Sequence, residues 1–193
     1  LFLAVRNRGE EEDRRYREIR ANNEPHFGFK SLYIVFGLQA GLAWIISIPL
    51  LMALSINTDV GYLELMGLVI WLVGFVFEAA ADLQLYRFKS NPLNKGKVLN
   101  TGLWAYSRHP NYFGEFLFWW GYFLFALSAG AWWTVFSPVL MTLLLLKVSG
   151  VSLMEKGITE RRANYREYIE STNAFFPGRP RRSRVYIEGG QES

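Results

Sequence analysis

The chain has 193 residues, enough for one domain, and 51% of them are apolar and 17% aromatic, a composition that favours a membrane protein over a soluble one. It contains no cysteine and two histidines, His26 and His109, which excludes disulfides, thiolate chemistry, zinc–thiolate sites and a multi-histidine metal centre. The formal charge is only +4, and its distribution along the chain says more than its sum.

Leu1 to Val5 is apolar and starts without a Met or a signal-peptide pattern. It reads as the end of a hydrophobic segment whose beginning lies outside the sequence, so further N-terminal helices are expected. Residues 6–30 are densely charged with both signs mixed and read mainly as a solvated connector. Four apolar stretches follow. The first, about 31–56, is interrupted by Pro49, which can kink a membrane helix without ending it. The turn Asn57-Thr58-Asp59 leads to the second, about 60–86. The third and fourth, about 112–127 and 132–146, are joined by the tight turn Ser128-Ala129-Gly130 and read as an antiparallel hairpin. A spanning helix needs about 20 apolar residues, so the first two are long enough and the last two sit at or below the lower limit. Residues about 155–173 alternate charges with Tyr165, Tyr168 and Ile169 at helical spacing and predict an amphipathic helix at the membrane face, ended by Pro177-Gly178. The basic tail 178–193 is expected to be disordered and drawn to anionic lipid.

Lysines and arginines fall in three blocks: seven in 6–30, five in 87–110 and nine from 147 onward, the whole complement of 21. Neither the 57–59 turn nor the 128–130 turn carries one. Cations on one side of four consecutive spans follow the positive-inside rule, so the charged loops and the C-terminus are expected in the cytoplasm, at the inner membrane if the source is a bacterium. The predicted fold is therefore all-α: one polytopic helical membrane bundle over 1–193, with cytoplasmic loops and a C-terminal amphipathic helix. Acids balance cations in the charged loops until the last dozen residues, so no nucleic-acid site is read there.

The chemistry concentrates in two stripes. Along the second span Gly67, Trp71, Gly74, Glu78 and Asp82 follow steps of three or four and share a face. The small residues would let a neighbouring helix approach closely, and carboxylates at membrane depth read as functional. For Asp82 the competing reading is a helix-end ion pair with Arg87, one turn away. The third span opens with Gly102–Glu115, GLWAYSRHPNYFGE, which sets Arg108, His109, Pro110, Asn111 and Glu115 at the mouth of a helix. Pro110 can begin that helix but not lie inside it, and a helix start suits an anion. The plainer reading is a basic loop anchored at the headgroups, but Glu115 inside the apolar run favours a ligand. Packed together, the two stripes give a cavity with Glu78, Asp82, Asn111 and Glu115 inside and Lys89, Lys95, Lys97, Arg108 and His109 at its rim. That fits a nucleotide cofactor and a lipid-soluble substrate. Taken alone, Trp119 and Trp120 read as packing, and His109 as a hydrogen-bonded rim residue.

The GLWAYSRHPNYFGE motif followed by FWWGY, with EAAADLQLYRFK, NPLNKGK and NYREYIESTNAFFP, resembles uncharacterised bacterial membrane relatives of steroid 5-alpha-reductase. That superfamily includes sterol reductases and isoprenylcysteine carboxyl methyltransferases. The resemblance implies a helical membrane fold that holds NADPH in a cytoplasm-facing cavity and passes hydride to an enone-like C=C bond of a lipophilic substrate. By the same resemblance Asp82, Asn111 and Glu115 match cofactor contacts. Lys89 stands for an arginine and Glu78 for an amide, Asn7-Arg8-Gly9 matches a cofactor-touching loop, and Arg108, His109, Tyr112, Tyr165 and Tyr168 complete the candidate set. The reductases' substrate-polarising residues lie upstream of Leu1, so no catalytic residue is assigned, and no metal is expected. The alternatives are an S-adenosylmethionine-dependent membrane methyltransferase, whose motif also shares the arginine–histidine–proline run, and a non-enzymatic scaffold or small transporter.

Overall fold

The computed structural model describes residues 14–55, 60–148 and 165–181, and among them every regular element is helical. The chain divides into two units, residues 1–45 and 46–193. In the first, α1 (Arg14–Asn23) and α2 (Phe27–Ser31) are tied by Lys30, whose ammonium donates to the Asn23 carbonyl at 3.0 Å, and by Arg20 lying 5.5 Å from the centre of the Phe27 ring. A π-helical turn, Leu32–Gly37, leads into α3 (Leu38–Ile46).

The helical run breaks at Ser47 before α4 (Ile48–Ser55). The cause is Pro49, fully buried two residues on, which has no N–H to donate and whose ring displaces the carbonyl one turn back. The 31–56 stretch is therefore helical up to Ser55 with an interruption, and Ile56 lies outside the described residues.

The second unit is built on α5 (Tyr62–Ser90, 29 residues) and α6 (Pro110–Ser128, 19 residues). Its remaining elements are the 3-10 turns Pro92–Asn94, Gly102–Ala105 and Trp132–Val135, then α7 (Phe136–Leu143) running into a π-helical turn, Leu144–Val148, and α8 (Tyr165–Ser171). The helix runs through Ser128, one residue further than the turn expected at 128–130, and the chain then turns at Ala129-Gly130. Gly130 takes φ 78°, its N–H meets the Leu127 carbonyl at 2.9 Å, and the Ala131 N–H meets the Ala126 carbonyl at 2.9 Å. This is the Schellman pattern, which needs a residue free to adopt left-handed φ.

Helices α5 and α6 meet through glycine. A Cβ added to Gly74 would lie 2.6 Å from the Gly114 carbonyl oxygen, and one on Gly67 would lie 3.1 Å from that of Gly121. A Cβ on Gly114 would reach the Glu78 backbone nitrogen at 2.5 Å. Each glycine pair steps two turns up one helix and two turns down the other, as antiparallel neighbours must. Backbones this close gain dispersion along their whole length without any side chain between them.

Two helical runs, Phe27–Leu54 and Tyr62–Ser90, are long and apolar enough to cross a membrane, and Trp132–Lys147 is apolar but shorter. Leu65, Met66, Val69 and Val76 on α5 are each more than half exposed. A core helix of a water-soluble protein would bury them, whereas a lipid-facing helix has no reason to. Of the expected amphipathic helix over about 155–173, the part before Tyr165 lies outside the described residues; the described helix stops at Ser171, six residues before Pro177. Tyr165 and Tyr168 turn inward while Arg166, Glu167 and Glu170 are exposed. Of the tail 178–193, residues 178–181 are described, and the Gly178 and Arg181 amides bond the Tyr106 and Ser171 carbonyls at 2.9 and 2.7 Å.

Gly114→Ala should lower the stability of the detergent-solubilised protein by about 1–3 kcal/mol, because the new methyl meets backbone that cannot step aside. Gly41→Ala, where an added Cβ meets nothing within 4 Å, should not destabilise it. Denaturant or thermal unfolding of the two variants side by side checks the difference.

Candidate functional site

The glycine seam decides which polar groups meet. Gly114 rests on the turn of α5 between Gly74 and Glu78, so the next residue, Glu115, comes beside Glu78. One turn nearer the motif loop, the Asn111 side-chain amide donates to the Asp82 carboxylate at 3.1 Å. One turn the other way the row turns aromatic: Trp71 stacks parallel on Phe75 at 5.5 Å and packs on Phe118 at 4.9 Å, with Tyr122 edge-on at 6.2 Å. The Trp71 indole nitrogen is buried without a hydrogen-bond partner among the described residues, a cost on the order of 1–3 kcal/mol.

Between the two rows lies a cavity of about 330 Å³ lined by Phe75, Glu78, Ala79, Asp82, Glu115, Phe118 and Trp119. Its ionisable lining is entirely acidic. Glu115 lies near enough to Glu78 and Asp82 to feel both charges, and it accepts a hydrogen bond from the Trp119 side chain one turn on. Three carboxylates with no cation among the lining residues attract a ligand that brings hydrogen-bond donors or positive charge. No group of three or more potential metal ligands converges among the described residues.

The motif loop is placed differently from a ligand mouth. Trp104, in the 3-10 turn, donates its indole N–H to the Ala81 carbonyl at 3.1 Å, and the Leu103 N–H donates to the Gln84 side chain at 3.0 Å. Gly102 takes φ 62°, and a Cβ there would lie 2.6 Å from the same Gln84 oxygen, so only glycine lets Gln84 close on the loop. On its other side the loop grips the C-terminal segment. The Arg108 guanidinium donates to the Ile169 carbonyl at 2.8 Å and the Thr172 carbonyl at 2.7 Å, and its N–H donates to Asn173 at 2.9 Å. Ser107 donates to Phe175, and the Tyr168 hydroxyl to Trp104. Phe175 and Phe176 then pack on Phe113 and Phe116 of α6.

The structure thus brings Glu78, Asp82, Asn111 and Glu115 together as the two stripes require. Arg108 and His109 are buried, His109 stacks parallel on Tyr112 at 5.5 Å, and Tyr165 and Tyr168 are buried as a tilted pair. None of these five lines the cavity, and neither does Asn111, which reaches it only through Asp82. Lys89, Lys95 and Lys97 are exposed and also stand outside the lining. Asn7 and Arg8 lie outside the described residues. The wall residues Phe75, Phe118 and Trp119 were legible at helical spacing from the two glutamates. Gln84, Trp104 and Ser107 were not, because each acts on backbone atoms distant in sequence.

A family model described as a protein of unknown function, DUF1295, matches residues 1–172. The chain belongs to this family, within the steroid 5-alpha-reductase-like superfamily. Its similar relatives include a probable O-methyltransferase of Ustilaginoidea virens, 46% identical over 24% of this chain and 16% of that protein. An uncharacterised protein of Schizosaccharomyces pombe is 36% identical over 47% of this chain and 27% of its own length. The matched stretches therefore span about a quarter or less of these curated relatives. No solved structure matches.

Glu115→Gln keeps the size and the Trp119 bond while removing one of three like charges, so its melting temperature should equal or exceed that of the wild type. Trp104→Phe strips a buried tie between loop and α5 and should cost about 1 kcal/mol. Thermal unfolding in the same detergent separates the two signs.

Proposed function

We propose that the protein is an integral membrane oxidoreductase that transfers hydride from NADPH to an activated C=C bond of a lipophilic, steroid- or enone-like substrate. Its charged loops face the cytoplasm, since the cations gather at one end of every span. The observation that carries this reading is the set of three carboxyl groups around one hollow, Glu78, Asp82 and Glu115, with Asn111 bonded to Asp82 from outside the lining. Membership of the superfamily supports it.

The donor set fits one end of such a cofactor. Carboxylates accept from sugar hydroxyls and from a carboxamide N–H, and an asparagine offers both a donor and an acceptor. The cavity is of a size for the sugar and carboxamide end, and we assign the phosphates to the exposed lysines Lys89, Lys95 and Lys97, which stand outside its lining; the Arg108 guanidinium is engaged by carbonyls instead. Bound NADPH supplies the hydride, and Phe75, Phe118 and Trp119 exclude water around it. Asp82 orients Asn111, and the Trp119 indole orients Glu115. Polarisation of the substrate carbonyl is assigned to no residue of this chain.

A second reading, an S-adenosylmethionine-dependent methyltransferase, is favoured by the all-acidic, aromatic-walled lining, which suits a sulfonium cation. The relative named as a probable O-methyltransferase points the same way.

Titrating the full-length protein in detergent with NADPH, NADH and S-adenosylmethionine, while following its melting temperature, decides between them. NADPH at a hundred times its Kd should stabilise by about 2.7 kcal/mol, and Asp82→Ala or Glu115→Ala should abolish that gain. A response to the methyl donor alone replaces the reductase by the methyltransferase. A flat response to all three leaves a scaffold or transporter.

A further inference from the structure

We propose that Arg108 is a positioning residue: it fastens residues 165–181 to the entrance of α6 and so holds Asn111 against Asp82. For its second measurement only, the inference rests on the cavity being a ligand site.

Arg108 is 9% exposed, and one nitrogen of its guanidinium, Nη1, donates to two carbonyls, Ile169 at 2.8 Å and Thr172 at 2.7 Å. Ile169 belongs to the last turn of α8, where carbonyls have no partner within the helix, so Arg108 caps that helix from outside it. The same residue's N–H bonds the Asn173 carbonyl, which makes three bonds from one residue onto five consecutive positions. Its backbone is thereby fixed relative to the C-terminal segment. The chain from Arg108 to Asn111 has little freedom: the His109 N–H bonds the Ser107 hydroxyl at 3.1 Å, and Pro110, fully buried, has its φ locked. Asn111 follows in the first turn of α6, and its side chain meets Asp82. The loop is clamped on its opposite side to α5 through Trp104 and Gln84. The segment 102–109 is therefore a spacer between α5 and the C-terminal segment, with Arg108 as its outer bolt. Buried charge on backbone carbonyls is costly to leave unpaired, so removing either side of this contact should shift the loop.

The test needs no ligand. In protein labelled with 15N-asparagine, the side-chain NH2 signal of Asn111, assigned by its loss in Asn111→Asp, reports the bond to Asp82. Arg108→Ala should move that signal toward the position it takes in Asp82→Ala, and Arg108→Lys, which keeps the charge and a nitrogen able to donate to two carbonyls but on a shorter reach, should restore it in part. Ser107→Ala and Tyr168→Phe remove neighbouring ties and should shift it in the same direction by less; they carry the test if Arg108→Ala does not fold. An Asn111 signal unmoved by these variants overturns the proposal. The second measurement is affinity for NADPH. Arg108→Ala should weaken it by about tenfold or more, but by less than about threefold in an Asn111→Ala background, the signature of two residues acting through one contact. A loss confined to NADPH and absent with NADH would instead mark a direct phosphate contact and also overturn it. Failure of the wild type to bind any nucleotide removes the proposed function and leaves the asparagine signal to decide this inference alone.

Discussion

The approach of α5 and α6 at their glycines is the constraint on which the rest of the second unit depends. With Gly67 and Gly74 set against Gly121 and Gly114, the helices touch backbone to backbone, and no side chain can rotate to change their spacing. Register follows directly. Gly114 seated between Gly74 and Glu78 leaves Glu115 no choice but to flank Glu78, and the Asp82–Asn111 bond falls one turn along. The carboxylates are held together at the cost of mutual repulsion because packing elsewhere on the same faces outweighs it. Within the lining, Trp119 offers a donor to one of the three carboxyl groups, that of Glu115.

The candidate site was legible where its residues recur at helical spacing. Glu78 and Asp82 lie on a stripe with Gly67 and Gly74, and Asn111 and Glu115 lie one turn apart on the next span, so docking the two faces brings the four together; that Gly114 and Gly121 set the contact is visible only in the structure. Arg108 was misplaced at the rim by the same reading, for a physical reason. Its partners are backbone carbonyls more than sixty residues away, and a carbonyl leaves no trace in the residue it belongs to. Trp104 escaped notice likewise, since its acceptor is the main chain of Ala81. Among the spans, the long stretch 60–86 was plain from its apolar run. The interruption of the first came two residues ahead of the proline that causes it, because proline acts on the turn before it.

The motif loop has two separable jobs in this structure. Its first half, Gly102 to Ser107, joins α5 to the C-terminal segment, and its second half, Pro110 to Glu115, opens α6 and carries the amide and carboxylate of the site. Buried serine, arginine and histidine between them are polar groups with polar partners, which is what a loop next to an apolar span requires. Much of the motif is therefore occupied in building the start of α6, and of its residues only Glu115 lines the hollow.

The closed turn at Gly130 has a bearing on depth. The carbonyls of Ala126 and Leu127, which a frayed helix end would hand to water, are taken up by the amides of Ala131 and Gly130. A helix end sealed in this way leaves neither of those carbonyls unpaired, so it tolerates apolar surroundings that a frayed end would not, with Trp132 exposed and Trp133 half-exposed just beyond it.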